Sequence, residues 1–525
     1  MSASAYRTSK LFDNAWRFYL GDDSLAATVN YNDTQWRTLD LPHDWDAELP
    51  FLQENPTIGG GGYAHAGIGW YRKAFTPTLS APNNRMLLYF EGAYMNSSVY
   101  VNGQLAGGHP YGFNSFYVDI TDKIIPGKQN IVAVRCDNSQ QPNCRFYTGS
   151  GIYRHVWLEE RSKDGINDPW KLYIRTEKVF GINADATKAD SAIVRISYEG
   201  KPDELRTFRN VNLWSPEHPA LYNIKVGDLE VEHGFRTIRY NAREGFVLNG
   251  KKYLINGACL HSDNGILGSA AFDKAEWRKA SLMKEGGFNA VRTAHNPPAP
   301  EFLRACDHLG LLVIDEAFDG WRSKKTKYDY HLLLDEWWQK DVDALVLRDR
   351  NHPSIICWSN GNEIFERKKL ECVTTSRKMA NRMRELDPSR PVTNALCGYD
   401  KDWEIYDPLA ESLDIVGYNY LIQYAADDMK RVPNRVCWQT ESYIKEAFPN
   451  WRHTVEEPYV IGDFIWTGLD YLGESGIGGW RYEGEPQGEH WEADHYPWHG
   501  AYCGDIDITG WRKPISYYRD MLWNG

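Results

Sequence analysis

The stretch Ser354-Ile-Ile-Cys-Trp-Ser-Asn-Gly-Asn-Glu363 decides the fold. It is an apolar run without alternation, which reads as a strand buried on both faces, and it ends on a carboxylate. An amphipathic segment follows at 370–386, then another short apolar run at 391–396. Working outward, the same strand–helix–strand order holds from Asn241 to the C-terminal end. Strands are predicted over 253–261, 290–295, 311–317, 354–363, 391–396, 414–420, 435–442 and 460–472, with helices over 273–285, 299–308, 335–348, 370–386 and 425–431. Eight βα units in about 280 residues predict a (β/α)8 TIM barrel. A doubly wound open sheet would call for a Gly-x-Gly-x-x-Gly turn opening a helix, and that signal is missing.

Upstream the pattern is different. Between about residues 10 and 162 short alternating runs such as Met86-Leu-Leu-Tyr-Phe-Glu91, Ser98-Val-Tyr-Val-Asn102 and Asn130-Ile-Val-Ala-Val-Arg135 are separated by Asn102-Gly103, Pro126-Gly127 and similar turns. That is the signature of an all-β sandwich. The style continues to about Asn241 in a block short for an independent two-sheet domain. Gly181-Ile-Asn-Ala-Asp-Ala-Thr-Lys-Ala-Asp190 reads as a frayed or shortened loop. The expected domains are therefore 1–162, 163–241 and 242–525.

With 525 residues, 42% hydrophobic and 25% charged, the chain is a multidomain globular protein. A net charge of -12 argues against a nucleic-acid partner, which needs clustered Lys and Arg, and favours an uncharged substrate. No apolar run approaches the roughly 18 residues of a membrane span. Twenty-one Trp, 32 Tyr and 19 Phe suit stacking on sugar faces, although sandwich cores consume aromatics too. Nine cysteines form no disulfide framework, and Cys259, Cys357 and Cys437 inside barrel strands read as buried thiols. The first seven residues carry no apolar signal segment, and the compartment stays open.

A second apolar run, Val436-Cys-Trp-Gln-Thr-Glu441-Ser442, also ends in a glutamate. An ionisable side chain is costly in a buried strand unless it has work to do. Glu363 and Glu441, on the fourth and seventh strands, would face each other across the barrel mouth. Two carboxyls there suit retaining glycoside hydrolysis, with a spacing of about 5 Å, one acting as acid and the other as nucleophile. The bland reading of either is a strand-end Glu paired with an Arg. His261, Arg292, His295, Tyr420 and Trp466 fall at the same strand ends, where barrel enzymes do their chemistry. Asn362 offers an amide to a sugar hydroxyl or simply turns the chain. Tyr420 either hydrogen-bonds the nucleophile or packs, and Trp466 is a stacking floor or a core Trp. A metal reading of the histidines lacks a His-Glu-x-x-His helix or paired Cys spacing. Asp341, Asp343, Arg348, Asp349 and Arg350 read as a solvated helix face and its cap.

Trp70-Tyr-Arg-Lys, Phe90-Glu-Gly, Val101-Asn-Gly and Gly149-Ser-Gly-Ile-Tyr-Arg154, followed by Gly287-Phe-Asn-Ala-Val-Arg-Thr-Ala-His-Asn-Pro297, Val313-Ile-Asp-Glu-Ala317, Arg348-Asp-Arg-Asn-His-Pro353 and Trp358-Ser-Asn-Gly-Asn-Glu363, resemble glycoside hydrolase family 2. This is the family of β-galactosidases, β-glucuronidases and β-mannosidases, and the likeness covers nearly the whole chain, nearest to the β-galactosidase branch. It implies a sugar-binding-like jelly roll and a short immunoglobulin-like sandwich before the barrel. It also implies Glu363 as acid/base and Glu441 as nucleophile, with His261, Arg292, His295, Asn362, Tyr420 and Trp466 lining the sugar site. Asp44, in Leu41-Pro-His-Asp-Trp45, matches a family loop that reaches from the first sandwich into the barrel mouth; read alone it is a turn residue.

The chain departs from the family pattern in three places. Arg145 stands where several members have an acid, and no Asn-x-Lys signature of β-glucuronidases follows Trp466. Gly320 and Trp321 occupy the stretch where some β-galactosidases bind magnesium, so no metal or cofactor is expected. Similar members often continue beyond the barrel, so the chain reads as a truncated form. The expected activity is retaining exo-β-galactosidase on terminal sugars, with β-glucuronidase, β-mannosidase, arabinosidase or a non-catalytic carbohydrate-binding protein as rivals. A carbohydrate substrate is the expected partner, and a homo-oligomer is compatible with the chain.

Overall fold

The computed structural model describes residues 9–398, 403–479, 483 and 495–525; the N-terminal segment read for a signal, 1–7, lies outside them. A six-stranded antiparallel sheet runs in the order Arg37–Leu39, Trp16–Leu20, Gly67–Phe75, Asn130–Asn138, Ser97–Val101, Gln104–His109. A four-stranded sheet runs Ser9–Leu11, Val156–Arg161, Arg85–Phe90, Phe116–Asp119. Trp16, Phe18, Tyr71, Val99 and Val134 of one sheet share an apolar cluster with Leu88, Phe90, Phe116 and Val156 of the other. Alternation along each strand supplies those inward residues. Asn102 and Gly103 both take positive φ, +50° and +79°, in the two-residue turn that such a hairpin favours.

The next block holds a three-stranded sheet, Leu172–Ile182, Lys188–Tyr198 and Glu204–Asn212, and a hairpin of Tyr222–Val226 with Leu229–His233. Ile174, Val194, Ile196, Val211, Ile224, Val231 and Phe235 make its core. Of the frayed or shortened loop expected at 181–190, the structure has the short form, a turn over 183–187. The strands run to Ile182 and from Lys188, and Asn183 Oδ1 caps the turn by accepting from the backbone N–H of Thr187 and Lys188.

Eight parallel strands then close a barrel in sequence order: Ile255–Leu260, Ala290–Thr293, Leu312–Glu316, Ile355–Asn362, Val392–Leu396, Ile415–Asn419, Cys437–Tyr443 and Val460–Trp466. The fourth, fifth and sixth are buried at every position, which explains their unbroken apolar runs. The eighth is shorter than its apolar run. Gly468 N donates to Cys259 O, the chain turns, and Tyr471–Leu472 pairs antiparallel with Gly500–Ala501. Helices Asp273–Glu285, Leu370–Leu386 and Ala425–Arg431 have the expected bounds. Cys259, Cys357 and Cys437 are buried free thiols. No described helix is long and apolar enough to cross a membrane.

The face at 341–350 is not solvated. Asp341 accepts from Asn114 Nδ2 at 2.9 Å and from the Tyr330 hydroxyl, and its carboxylate lies 3.1 Å from His109 Nε2. Arg348 donates to Ser115 Oγ and Pro298 O, both at 2.9 Å, and Asp349 is fully buried against Arg348. The N-terminal sheets cover this end of helix Leu334–Asp349, and their polar groups lie more than 200 residues away in sequence, beyond what helical periodicity can register. Tyr94, Tyr111, Phe113, Phe146 and Tyr153 join barrel residues such as Leu260, Phe302 and Phe318 in one core. Each fully buried Phe contributes roughly 1.5–3 kcal/mol, so the sheets and the barrel mouth form one packed unit.

Candidate active site

Glu363 directly follows the fourth strand, with its N–H bonded to Ala395 O and a φ of +41°. Tyr420 follows the sixth strand at φ +61°, its N–H bonded to Glu441 O. Two non-glycine residues in left-handed backbone cost on the order of 1–3 kcal/mol each, and such strain gathers where side chains are aimed for function. The two carboxyls differ in setting. Glu363 is half-buried and accepts from Asn419 Nδ2 at 3.0 Å, whereas Glu441, in the seventh strand, is buried. Arg292 Nη1 donates to Glu441 Oε1 at 2.9 Å, and the Tyr420 hydroxyl also bonds it. Burial, then the charge of Glu363, pushes the Glu441 carboxyl up to about 7, while Arg292 and Tyr420 pull against them.

Arg292 lies in the second strand with no exposure, at the centre of the constellation. Its Nε and Nη2 grip Glu316 at 3.0 and 2.8 Å, and Nη2 also donates to Asn362 Oδ1 at 3.0 Å. Burial opposes the Arg292 charge, but the surrounding carboxylates keep it protonated. Burial also holds His295 far below the usual imidazole range, so it is neutral. The neutral tautomer that fits its neighbours donates from Nδ1 to Glu316 at 2.7 Å and accepts at Nε2 from Asn362 Nδ2 at 3.3 Å. Asn362 Nδ2 further donates to Asp319 at 3.0 Å. Asn362 is thus a linker between the acidic and basic groups of the mouth; it does not turn the chain, because Gly361 and Asn362 are the last residues of the fourth strand and the backbone bends at Glu363.

His261, just past the first strand, is buried and held neutral by burial and by the charge of Arg145; neither ring nitrogen has a partner among the described residues. Aromatic faces crowd it, with Phe146 at 4.4 Å, Tyr471 at 4.3 Å and Trp466 edge-on at 5.3 Å. Trp466 ends the eighth strand, stacks on His295 at 5.2 Å and donates to the Tyr471 hydroxyl. Two ring nitrogens in a wall of aromatic faces are costly to bury without a hydrogen-bond partner.

Asp44 is placed apart from this group. Its Oδ1 accepts from the N–H of Ser150 and Asp46, and its Oδ2 from Ser269 N–H and the Tyr147 hydroxyl, at 2.7 to 3.0 Å. Burial pushes its carboxyl up, and those four donors hold it down. With both oxygens engaged, Asp44 fastens the N-terminal sheets to the loop after the first barrel strand. It backs Tyr147, beside Phe146, and has no oxygen left for a substrate.

Sequence reasoning gave no role to Glu316, Asp319, Asn419, Lys325 or Glu474. Glu316 stood inside the quoted Val313–Ala317 motif, the one signal that could have marked it. Arg145, the departure from the family pattern, reaches the mouth from the N-terminal block. It pairs with Asp319 at 2.8 Å and Glu474 at 2.7 Å, and Lys325 reaches Asp319 at 2.8 Å and Asn362 O at 3.0 Å.

Residues 241–475 match the model of the glycosyl hydrolases family 2 TIM barrel domain. Along nearly the whole sequence the chain is 32% identical to the β-galactosidase BoGH2A of Bacteroides ovatus, with 98% of this chain and 71% of that one covered. The chain belongs to glycosyl hydrolase family 2. Another relative, a putative β-glucuronidase of Formosa agariphila, is 31% identical over 610 residues, and the chain spans 56% of its length. The crystal structure of a family 2 member from Bacteroides cellulosilyticus superposes with a TM-score of 0.88 at 35% identity, over 98% of this chain and 71% of that one. Family 2 membership fits the closed barrel and the antiparallel sheets that precede it.

Proposed function

We propose that the chain is a retaining exo-β-glycosidase, a β-galactosidase, that removes terminal sugars by double displacement. The asymmetry of the two carboxyls carries this reading. Glu441 is buried and fixed by Arg292 and Tyr420, as an attacking carboxylate must be, while Glu363 is open enough for leaving group and water. Glu441 attacks the anomeric carbon and forms a glycosyl ester as Glu363 protonates the departing oxygen. Glu363 then takes a proton from water, whose oxygen displaces Glu441 and releases the sugar with retained configuration. His261, His295, Asn362 and Trp466 hold the sugar, Arg292 and Tyr420 steady the nucleophile, and Asp44 positions the loop behind the site.

In this reading residues 1–162 form a sugar-binding-like jelly roll, 163–241 a short immunoglobulin-like sandwich and 242–525 the catalytic barrel. A β-glucuronidase would need a cation free for the sugar carboxylate. Arg145 and Lys325, the cations at this mouth described above, are both tied to Asp319, which favours a neutral sugar. The deciding experiment is a panel of nitrophenyl β-glycosides with wild type, Glu441→Ala and Glu363→Ala. The β-galactoside should be the best substrate, Glu441→Ala should be inactive, and azide should restore turnover to Glu363→Ala. A preferred glucuronide or mannoside, or full activity of either variant, refutes the assignment.

A further inference from the structure

A polar cavity of about 210 Å³ opens at the opposite end of the barrel from Glu363 and Glu441. Its walls are the strand Leu172–Ile182, the segment at 233–238 and the loops entering the fourth and fifth barrel strands, at 350–353 and 389–390. Arg236 Nη2 and Arg390 Nε both donate to Ile355 O, at the start of the fourth strand. Eight residues of strand, roughly 26 Å at ~3.3 Å per residue, separate that carbonyl from Glu363.

The charge of this cavity is one-sided. Four guanidinium groups line it, those of Arg175, Arg236, Arg350 and Arg390, against a single acid, Glu177. Glu177 is already taken by Arg175 and Arg195, and Arg390 is paired with Asp387. Arg236 and Arg350 form no ion pair among the described residues. Arg236 bonds Ile355 O, and Arg350 bonds Leu386 O and Trp170 O. Arg350 is more than nine-tenths buried, and its Nε has no hydrogen-bond partner among the described residues. The surroundings register the excess. Burial and the charge of Arg390 pull Arg236 down to about 9, and burial with Arg236 and Arg390 pulls the neighbouring His233 down to about 3. The acids nearest these two arginines are already engaged, Asp387 by Arg390 and Asp307 by His352, and guanidinium forks match tetrahedral oxyanions. The volume lies below the roughly 300 Å³ at which drug-sized ligands begin, which suits a small ion.

We propose that this cleft binds a small oxyanion of the phosphate class through Arg236 and Arg350, and that the bound ion clamps the block at 163–241 to the underside of the barrel. Free phosphate and the phosphate of a phosphorylated sugar share that chemistry.

Thermal unfolding of the full chain, with inorganic phosphate or galactose 6-phosphate added against sodium chloride at equal ionic strength, tests it. Both phosphates should raise Tm in a saturable way, and Arg236→Gln and Arg350→Gln should abolish the rise while Arg236→Gln still hydrolyses aryl galactosides at the wild-type rate. A stronger response to galactose 6-phosphate assigns the site to phosphorylated sugars, and equal responses assign it to the free ion. An equal rise with chloride, or an undiminished rise in Arg236→Gln, overturns the proposal. If the variants do not fold, labelling of wild-type Arg236 by phenylglyoxal reads the same contact. Phosphate should protect it at least several-fold, and labelling that phosphate leaves unchanged counts against the site.

Discussion

Arg292 holds Glu441 through Nη1 at 2.9 Å while Nε and Nη2 of the same guanidinium hold Glu316. One buried cation therefore fixes the position of the Glu441 carboxylate and balances two acids. Arg292→Met leaves both buried acids without their charge partner. The expected cost is about 3–5 kcal/mol of stability, with kcat/KM lower by on the order of 10²-fold or more, as for loss of a preorganised electrostatic group. Chemical denaturation and aryl galactoside kinetics check it; a variant as active as wild type would deny Arg292 this role.

The proximity of Glu363 to Glu441 sets a pH dependence. In the proposed mechanism Glu441 attacks as the ionised carboxylate, and its carboxyl is raised to about 7, so kcat/KM should fall as pH drops below about 7. Glu363→Gln removes one of the causes of that rise, so the acid limb should move to lower pH. A substrate with an activated leaving group makes the variant measurable, and an unmoved limb would mean the two carboxyls are not coupled.

The same shift bears on stability. A folded pKa raised above the ordinary 4.5 means that the folded state binds the Glu441 proton more tightly than the unfolded chain. The stabilising contribution is complete below about 4.5 and is lost as pH rises through about 7, amounting to roughly 3 kcal/mol at most. Glu441→Gln, which keeps an acceptor for Arg292, should therefore raise Tm above that of wild type near pH 8 and lose the advantage near pH 5. A Tm difference independent of pH would contradict this.

Asp44→Asn presents an amide N–H₂ to donors that now meet a carboxylate oxygen. Leaving a buried donor unsatisfied costs about 1–3 kcal/mol. Tm should fall while KM for the galactoside changes little at low temperature. A large rise in KM at unchanged Tm would instead make Asp44 a sugar contact.

Much of the barrel was legible because its strands are buried on both faces, so Ser354–Glu363 and its counterparts stand out as unbroken apolar runs between amphipathic helices. Glu363 and Glu441 were legible for the same reason, as charges at the ends of such runs. Asp341 and Arg348 were misread because the groups that meet them, Asn114 and Ser115, belong to a part of the chain more than 200 residues distant. The eighth strand was drawn too long because Tyr471–Leu472 is as apolar as a barrel strand yet pairs in a separate ribbon.

By itself the sequence determined the order of sheets and barrel and the two glutamates, since burial periodicity and strand-end carboxylates are local properties of the chain. Only the tertiary structure decided that Arg292 joins Glu441 to Glu316, that Arg145 is neutralised by Asp319 and Glu474, and that Asp44 is a fastening and not an open carboxylate. Each of those facts is a hydrogen bond or ion pair between distant segments. Its strength depends on a few tenths of an ångström and on the exclusion of water, and no local pattern encodes either.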